Sequence, residues 1–396
     1  MTQGILFEII GAGMGLGMSL LVLAGLSLRL HQEPGPHLHL WAMVAFFAID
    51  ALDQFDVLYF VPIFGMEPIF YGYVLVLYPG YMISLWLFVR GLTEPNACLK
   101  RQDLIHLLPI ALAGLCLAPF LSLPAAMRVD FGPDAAGEFL RLVAFGQNVF
   151  WLLWVIVVVV YGVLCARRLV SYQRDIREVF SDLEGRSLVW LDALVVVILL
   201  LAGIVALDEL LALLDLPEIR EGVSAMIFDL AMSGALGLYA LHARPALPQW
   251  SAPVVAEANS SIERVVNSGS TGSKYARSGL TENDLLRLAR RVEERMEAGK
   301  LWRQGNLDLQ KLAESVALSP IHLSEVLNAG LETSFYDFVN RYRIREACKL
   351  LGTTDMSVLE VSEAVGYNAK STFNASFKRV TSQTPSMWRR ENRAAV

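Results

Sequence analysis

Two hydrophobic patterns divide this chain. Up to about position 241 it is a succession of long apolar runs; from about 281 apolar residues recur instead at helical intervals among polar ones. A membrane-crossing helix needs about 20 mostly apolar residues. Seven windows qualify, roughly 5–28, 38–60, 69–89, 104–121, 142–165, 187–207 and 222–241. Asp50, Asp53 and Asp56 interrupt the second, and the fourth is short and holds Pro109 and Pro119. The start, MTQGILFEII, has no basic stretch before its apolar run and reads as a retained helix rather than a cleaved signal. Residues 242–278, rich in Pro, Ala, Ser and Gly, show no sustained period and read as a flexible tether.

Helix punctuation is dense after that. Thr281 and Asp284 have the spacing of a capping box and open LLRLARRVEERME, which ends near Gly299. Next come two short helices around a tight turn, with Ser319 placed to cap and Pro320 at the first helical position. Leu309, Leu312, Ala313 and Val316 share one face of the first, and Leu323, Val326 and Leu327 one face of the second. A longer amphipathic helix spans 334–351, and the helix-turn-helix pattern then repeats. Ser357 and Glu360 form a second capping box, GYN makes the turn, and Phe373 and Phe377 pack at i, i+4 on the last helix of the pair. The fold class is therefore all-α: a polytopic bundle of about seven spans over 1–241, the tether, and a soluble tandem helix-turn-helix domain over 279–396.

Charge divides the chain in the same place. Residues 274–396 hold 19 Lys+Arg against 15 Asp+Glu, a net of +4, while the remainder holds 14 against 24, a net of −10. With 55% hydrophobic and 18% charged residues, the composition disfavours a cytosolic enzyme of two or three domains. Loop charge also orients the spans. With the N-terminus outside, the inner loops collect ten basic residues (29, 90, 100, 101, 167, 168, 174, 177, 186 and 244) and the outer loops only Arg128, Arg141 and Arg220. That bias puts the C-terminal domain in the cytoplasm of a cell-membrane protein.

The motifs LQKLAESVALSPIHLSEVLN, FYDFVNRYRIREACKLL and VLEVSEAVGYNAKSTFNASFKRVTSQTPSMWRR carry a resemblance. Positions 306–390 resemble the DNA-binding domain of the AraC/XylS family of bacterial transcription regulators, and a preceding multi-span region looks like a minority, membrane-embedded type in that family. The resemblance implies that each unit sets its second helix in the major groove of double-stranded DNA. Glu332 and Ser382 depart from it, standing where the family commonly has a left-handed glycine. The connecting helix of 18 residues, about 27 Å long at 1.5 Å per residue, suits two recognition helices about one DNA turn apart.

The faces of those helices not used for packing supply the candidate DNA contacts. They are Ile321, His322, Ser324, Glu325 and Asn328 in the first unit, and Lys370, Ser371, Thr372, Asn374, Lys378 and Arg379 in the second. Asn suits an adenine edge, and Lys suits guanine or phosphate. Arg389, Arg390 and Arg393 are expected to hold phosphates at most, while Arg341, Arg343 and Arg345 can equally serve packing and ion pairs of the connecting helix.

Polar residues among the spans supply a candidate sensing site. Glu8, Asp50, Asp53, Asp56, Asn148, Asp208 and Asp229 lie toward the outer side and suggest an acidic cup for a cation, an amine or protons; the competing reading has them bond neighbouring helices. The four cysteines have no metal-ligand spacing, and no cofactor or metal site is expected. No lysine falls within a span, which excludes a retinal Schiff base, and HExxH, GxSxG and P-loop motifs are absent, so no enzyme is expected. The resulting reading is a membrane-anchored transcription regulator that senses a signal through its bundle. Its partners are promoter DNA and lipid, with RNA polymerase, a second copy and a small ligand or ion as further partners. The rival reading is a transporter or receptor with a regulatory helix-turn-helix domain.

Overall fold

The computed structural model describes residues 3–33, 35, 37–60, 72–124, 127–128, 137–184, 223–257 and 280–393, with isolated positions between 193 and 207. Every regular element among these is helical, apart from one isolated antiparallel bridge between Phe180 and Asp308. The chain forms two units, one of residues 1–169 and 189–245, the other of 170–188 and 246–396.

The first unit holds α1 (Gln3–Gln32), α2 (Leu38–Phe60), α3 (Pro79–Thr93), α4 (Leu108–Leu121), most of α5 (Glu138–Val179) and α6 (Val223–His242). Helix α1 packs along α2 and α6, and α2 along α3. Small residues permit these approaches. A Cβ on Gly91 of α3 would lie 2.5 Å from the His39 backbone nitrogen, and one on Gly25 of α1 would lie 2.6 Å from Leu241 of α6. Arg29 donates to the carbonyls of Ala240, Leu241 and Ala243, closing the C-terminal end of α6.

Four segments among the described residues are long and apolar enough to cross a membrane: Ile9–Gln32, Val74–Thr93, Arg101–Leu121 and Glu138–Val179. They correspond to four of the seven windows. The window at 38–60 forms one helix, interrupted by three aspartates, and is not among these four. The window at 187–207 lies largely outside the described residues, and that at 222–241 forms α6, which holds the shorter apolar stretch Leu230–His242.

The second unit holds α7 (Glu282–Gly299), α8 (Leu309–Ser315), α9 (Pro320–Glu325), α10 (Phe335–Thr353), α11 (Val358–Ala364), α12 (Lys370–Thr381) and α13 (Pro385–Arg393). Both expected capping boxes form: Thr281 Oγ1 accepts from the Asp284 N–H at 3.2 Å, and Ser357 Oγ accepts from the Glu360 N–H at 3.2 Å. Ser319 caps α9 by accepting from the His322 N–H. A π-helical turn, Val326–Gly330, prolongs α9.

Two apolar cores form, one per helix-turn-helix, and α10 belongs to both. Phe335, Phe338, Val339 and Tyr342 join the first with Leu309, Leu312, Leu323 and Val326; Ile344, Ala347 and Leu351 join the second with Val361, Phe373 and Phe377. The first part of the stretch read as a tether is structured. Trp250 and Val254, within 249–257, pack on the first core, because two large apolar side chains outweigh the Pro-rich composition around them. The rest of that stretch, 258–279, lies outside the described residues.

Candidate nucleic-acid interface

One face of α10 fixes how the two helix-turn-helix units meet. Tyr336, Asn340, Arg343 and Ala347 recur at helical spacing and are all buried, Asn340 and Arg343 completely. Arg343 donates through Nε to the Trp302 carbonyl at 2.8 Å and through Nη2 to the Gln304 carbonyl at 2.9 Å. It also meets the Ser181 carbonyl at 3.1 Å and the Ser181 hydroxyl at 3.2 Å. Its guanidinium lies 5.2 Å from the centroid of the Tyr367 ring, and the Tyr367 hydroxyl donates to Asn340 Oδ1 at 2.5 Å. Burial pulls the Arg343 pKa below its ordinary value, opposed by Tyr367 and Asp182, and pushes the Tyr367 phenol upward. A buried charge needs this many partners, and the set joins the loop before α8 to the turn before α12.

Each unit turns on one left-handed residue: Ala317 (φ +51°) in the first and Gly366 (φ +92°) in the second. A Cβ on Gly366 would lie 2.5 Å from the Trp302 carbonyl oxygen and 2.8 Å from that of Arg303, so glycine there answers both backbone angle and space. Glu332 and Ser382 adopt φ of +48° and +61°. The turns that the family commonly makes with glycine are thus kept here without it, each at about 1–2 kcal/mol.

The candidate DNA-contacting residues divide sharply. Lys370, Ser371 and Lys378 are exposed on α12, with Thr372 and Asn374 half-buried. Lys370, Asn374 and Lys378 line a shallow groove with Thr384 and Ser386. Arg379 is exposed, pairs with Asp337 at 2.9 Å and covers the Tyr336 ring at 5.0 Å. In the first unit Asn328 is exposed, and His322 and Glu325 are half-buried. Ser324 is buried, at 7% exposed, and accepts from Asn328, while Ile321 is half-buried and packs against the first core. Arg389 donates to the Met356 carbonyl and Arg345 pairs with Glu297, whereas Arg390 is exposed. The side chain of Arg393 lies outside the described residues.

Residues that sequence reasoning missed lie upstream. Glu178 Oε2 accepts from Asn328 Nδ2 at 3.1 Å, Ser181 donates to the Leu307 carbonyl at 2.5 Å, and Asp182 accepts from Asn368 at 2.5 Å. Nothing in the polar segment SDLEG signals this docking. Polar Asn340 and Arg343 on an otherwise apolar helix stripe were the one readable sign that a buried polar partner was needed.

The candidate sensing residues have partners in their own unit. Asp50 is buried and accepts from the Ser19 hydroxyl, and Asp53 accepts from the Tyr78 hydroxyl at 3.1 Å. Asp56 lies 3.5 Å from the Gly72 N–H, and Asn148 is exposed. Asp50 thus lies between α1 and α2. The side chains of Glu8 and Asp229, and all of Asp208, lie outside the described residues. Among the described residues no group of three or more His, Cys, Asp or Glu is placed to hold a metal ion.

The family model described as a helix-turn-helix domain matches residues 312–391, from α8 through α13. Residues 312–391 form an AraC-type domain. Over 121 residues the chain is 31% identical to the HTH-type transcriptional regulator GlxA of Rhizobium meliloti, covering 31% of this chain and 35% of that one. It is 30% identical over 91 residues to the uncharacterized HTH-type transcriptional regulator YtdP of Bacillus subtilis, covering 23% of this chain and 12% of that relative. The chain thus spans about a third or less of the length of these curated relatives. A solved structure, the C-terminal domain of AraT, a response regulator from Geobacillus stearothermophilus, is similar at 31% identity, with a TM-score of 0.25, over 26% of this chain and 84% of that one.

Proposed function

We propose that this protein is a membrane-anchored, sequence-specific transcription regulator whose AraC-type domain binds promoter DNA in the cytoplasm. The observation that carries the reading is the pair of helix-turn-helix units on one rigid α10, with Lys370, Ser371, Asn374 and Lys378 left on the outer face of α12. Lysine and asparagine there suit phosphates and base edges. Four long apolar segments and the ten-to-three bias of basic loop residues support anchoring, with the second unit inside. The interhelical pairs Ser19–Asp50 and Tyr78–Asp53 are where the bundle would register a signal, so neutralising Asp50 and Asp53 together changes the response without preventing insertion.

The test is to map the DNA that the full-length protein occupies in cells, then to measure binding of those fragments by the protein in nanodiscs at several salt concentrations. Enriched sites with affinity falling steeply with salt are expected. Absence of any enriched site, together with salt-independent binding, would overturn the reading.

A further inference from the structure

We propose that residues 178–182, at the end of α5 and just beyond it, form a strap that holds the AraC-type domain in a weakly binding state, and that DNA binding requires its release. The inference rests on the DNA-binding reading above and adds its regulation.

The strap touches both recognition elements. Glu178 holds the amide of Asn328, the most exposed candidate reader of the first unit. Asp182 holds Asn368, in the turn that leads into α12. Between them, Phe180 bridges to Asp308 and Ser181 fills the seat formed by the Leu307 carbonyl, Asn340 and Arg343. Phe180, Ser181 and Asp182 are all at least nine-tenths buried. This is a docked segment, not a passing loop.

Three features make the docked state the inhibited one. The amide of Asn328 cannot serve Glu178 and a base edge through the same hydrogens. Glu178 and Asp182 add negative charge beside the first unit's exposed reader and the entry to α12, which opposes approach of phosphates. The family match begins at residue 312, so the strap is added to the domain from outside it. Its bonds are polar and exchangeable: Ser181 offers one carbonyl and one hydroxyl, which water can replace at Arg343. In sequence it follows the fifth apolar window, so it is suited to carry a signal from the spans to the domain.

The experiment uses the full chain in nanodiscs with Asp182→Cys and Asn368→Cys, in a background carrying Cys98→Ser, and compares one preparation oxidised and reduced. The mapped promoter fragments are the probe. The oxidised protein, with the strap fixed, is expected to bind about tenfold or more weakly than the reduced protein, the equivalent of about 1.4 kcal/mol. Separately, Glu178→Gln keeps a partner for Asn328 but removes the charge, and is expected to tighten binding about two- to fivefold, with faster amide exchange over 178–182. Equal or tighter binding by the oxidised form would overturn the strap while leaving the DNA-binding reading standing. Failure of wild type and every variant to bind any duplex would overturn that reading, and the strap with it.

Discussion

The two helix-turn-helix units share one plan and differ in what they offer. The first turns on Ala317, ends its second helix in a π turn, and presents one acid, Glu325, with no lysine or arginine between 320 and 330. The second turns on Gly366 and presents Lys370 and Lys378 on an unbroken helix. The strap, moreover, occupies the exposed reader of the first unit and only the entry to the second. On the proposed reading the contrast divides the tasks: the lysines of the second unit would add the electrostatic grip to its own reader, Asn374, and the first unit would read sequence through Asn328 under control of the strap.

The largest effect expected is from removing what the units share. Arg343→Ala leaves the carbonyls of Trp302 and Gln304 without their buried donor and should destabilise the domain by about 3–5 kcal/mol, read from hydrogen exchange of α10 amides. An unchanged exchange pattern would mean that the units are joined by apolar packing alone. Next, the two turns should respond differently. Gly366→Ala meets both the wrong backbone region and the Trp302 carbonyl and should cost about 2–4 kcal/mol. Ala317→Gly should stay within about 0.5 kcal/mol of wild type, relief of strain being offset by added freedom of the unfolded chain.

On DNA, Lys370→Ala and Lys378→Ala should weaken binding to all sequences and each lower the salt slope by about 0.9. Asn328→Ala and Asn374→Ala should instead alter preference among sequences, by about 1–3 kcal/mol at a single base pair. A uniform loss for all four would erase the division of tasks. The smallest effect is that of pH. Hydrogen bonds from the Thr281 side chain and then its backbone N–H hold Asp284 below the ordinary carboxylate range, and the Ser357 N–H and then its side chain do so for Glu360. A depressed folded-state pKa contributes stability that is fully present above the unfolded value and is lost as pH falls through the folded one. Acid melting should therefore flatten in Asp284→Asn and Glu360→Gln relative to wild type, at both units alike.

Much of this was legible beforehand because helical periodicity and caps are local. Thr281, Ser319 and Ser357 each cap the helix that their spacing announces, and the face residues from Leu309 to Phe377 enter the cores expected of them. What was not legible is non-local. Arg379 has a side chain typical of DNA contacts, yet its environment comes from Asp337 and Tyr336, some forty positions earlier. The packing of Trp250 and Val254 is hidden by the low-complexity stretch that follows. The strap is the extreme case, since Ser181 and Arg343 are 162 positions apart and neither segment carries the other's pattern. For the aspartates of α2, the sequence left an open cup and interhelical bonding side by side, and only the folded chain brings the hydroxyls of Ser19 and Tyr78 to Asp50 and Asp53.

The most direct test of the account is a hydroxyl-radical footprint of the full-length protein in nanodiscs on a mapped promoter. Two protected patches about 10–10.5 base pairs apart on one face of the duplex are expected, the patch under the second unit persisting at higher salt. A single patch, or two that vanish together at the same salt concentration, would contradict it.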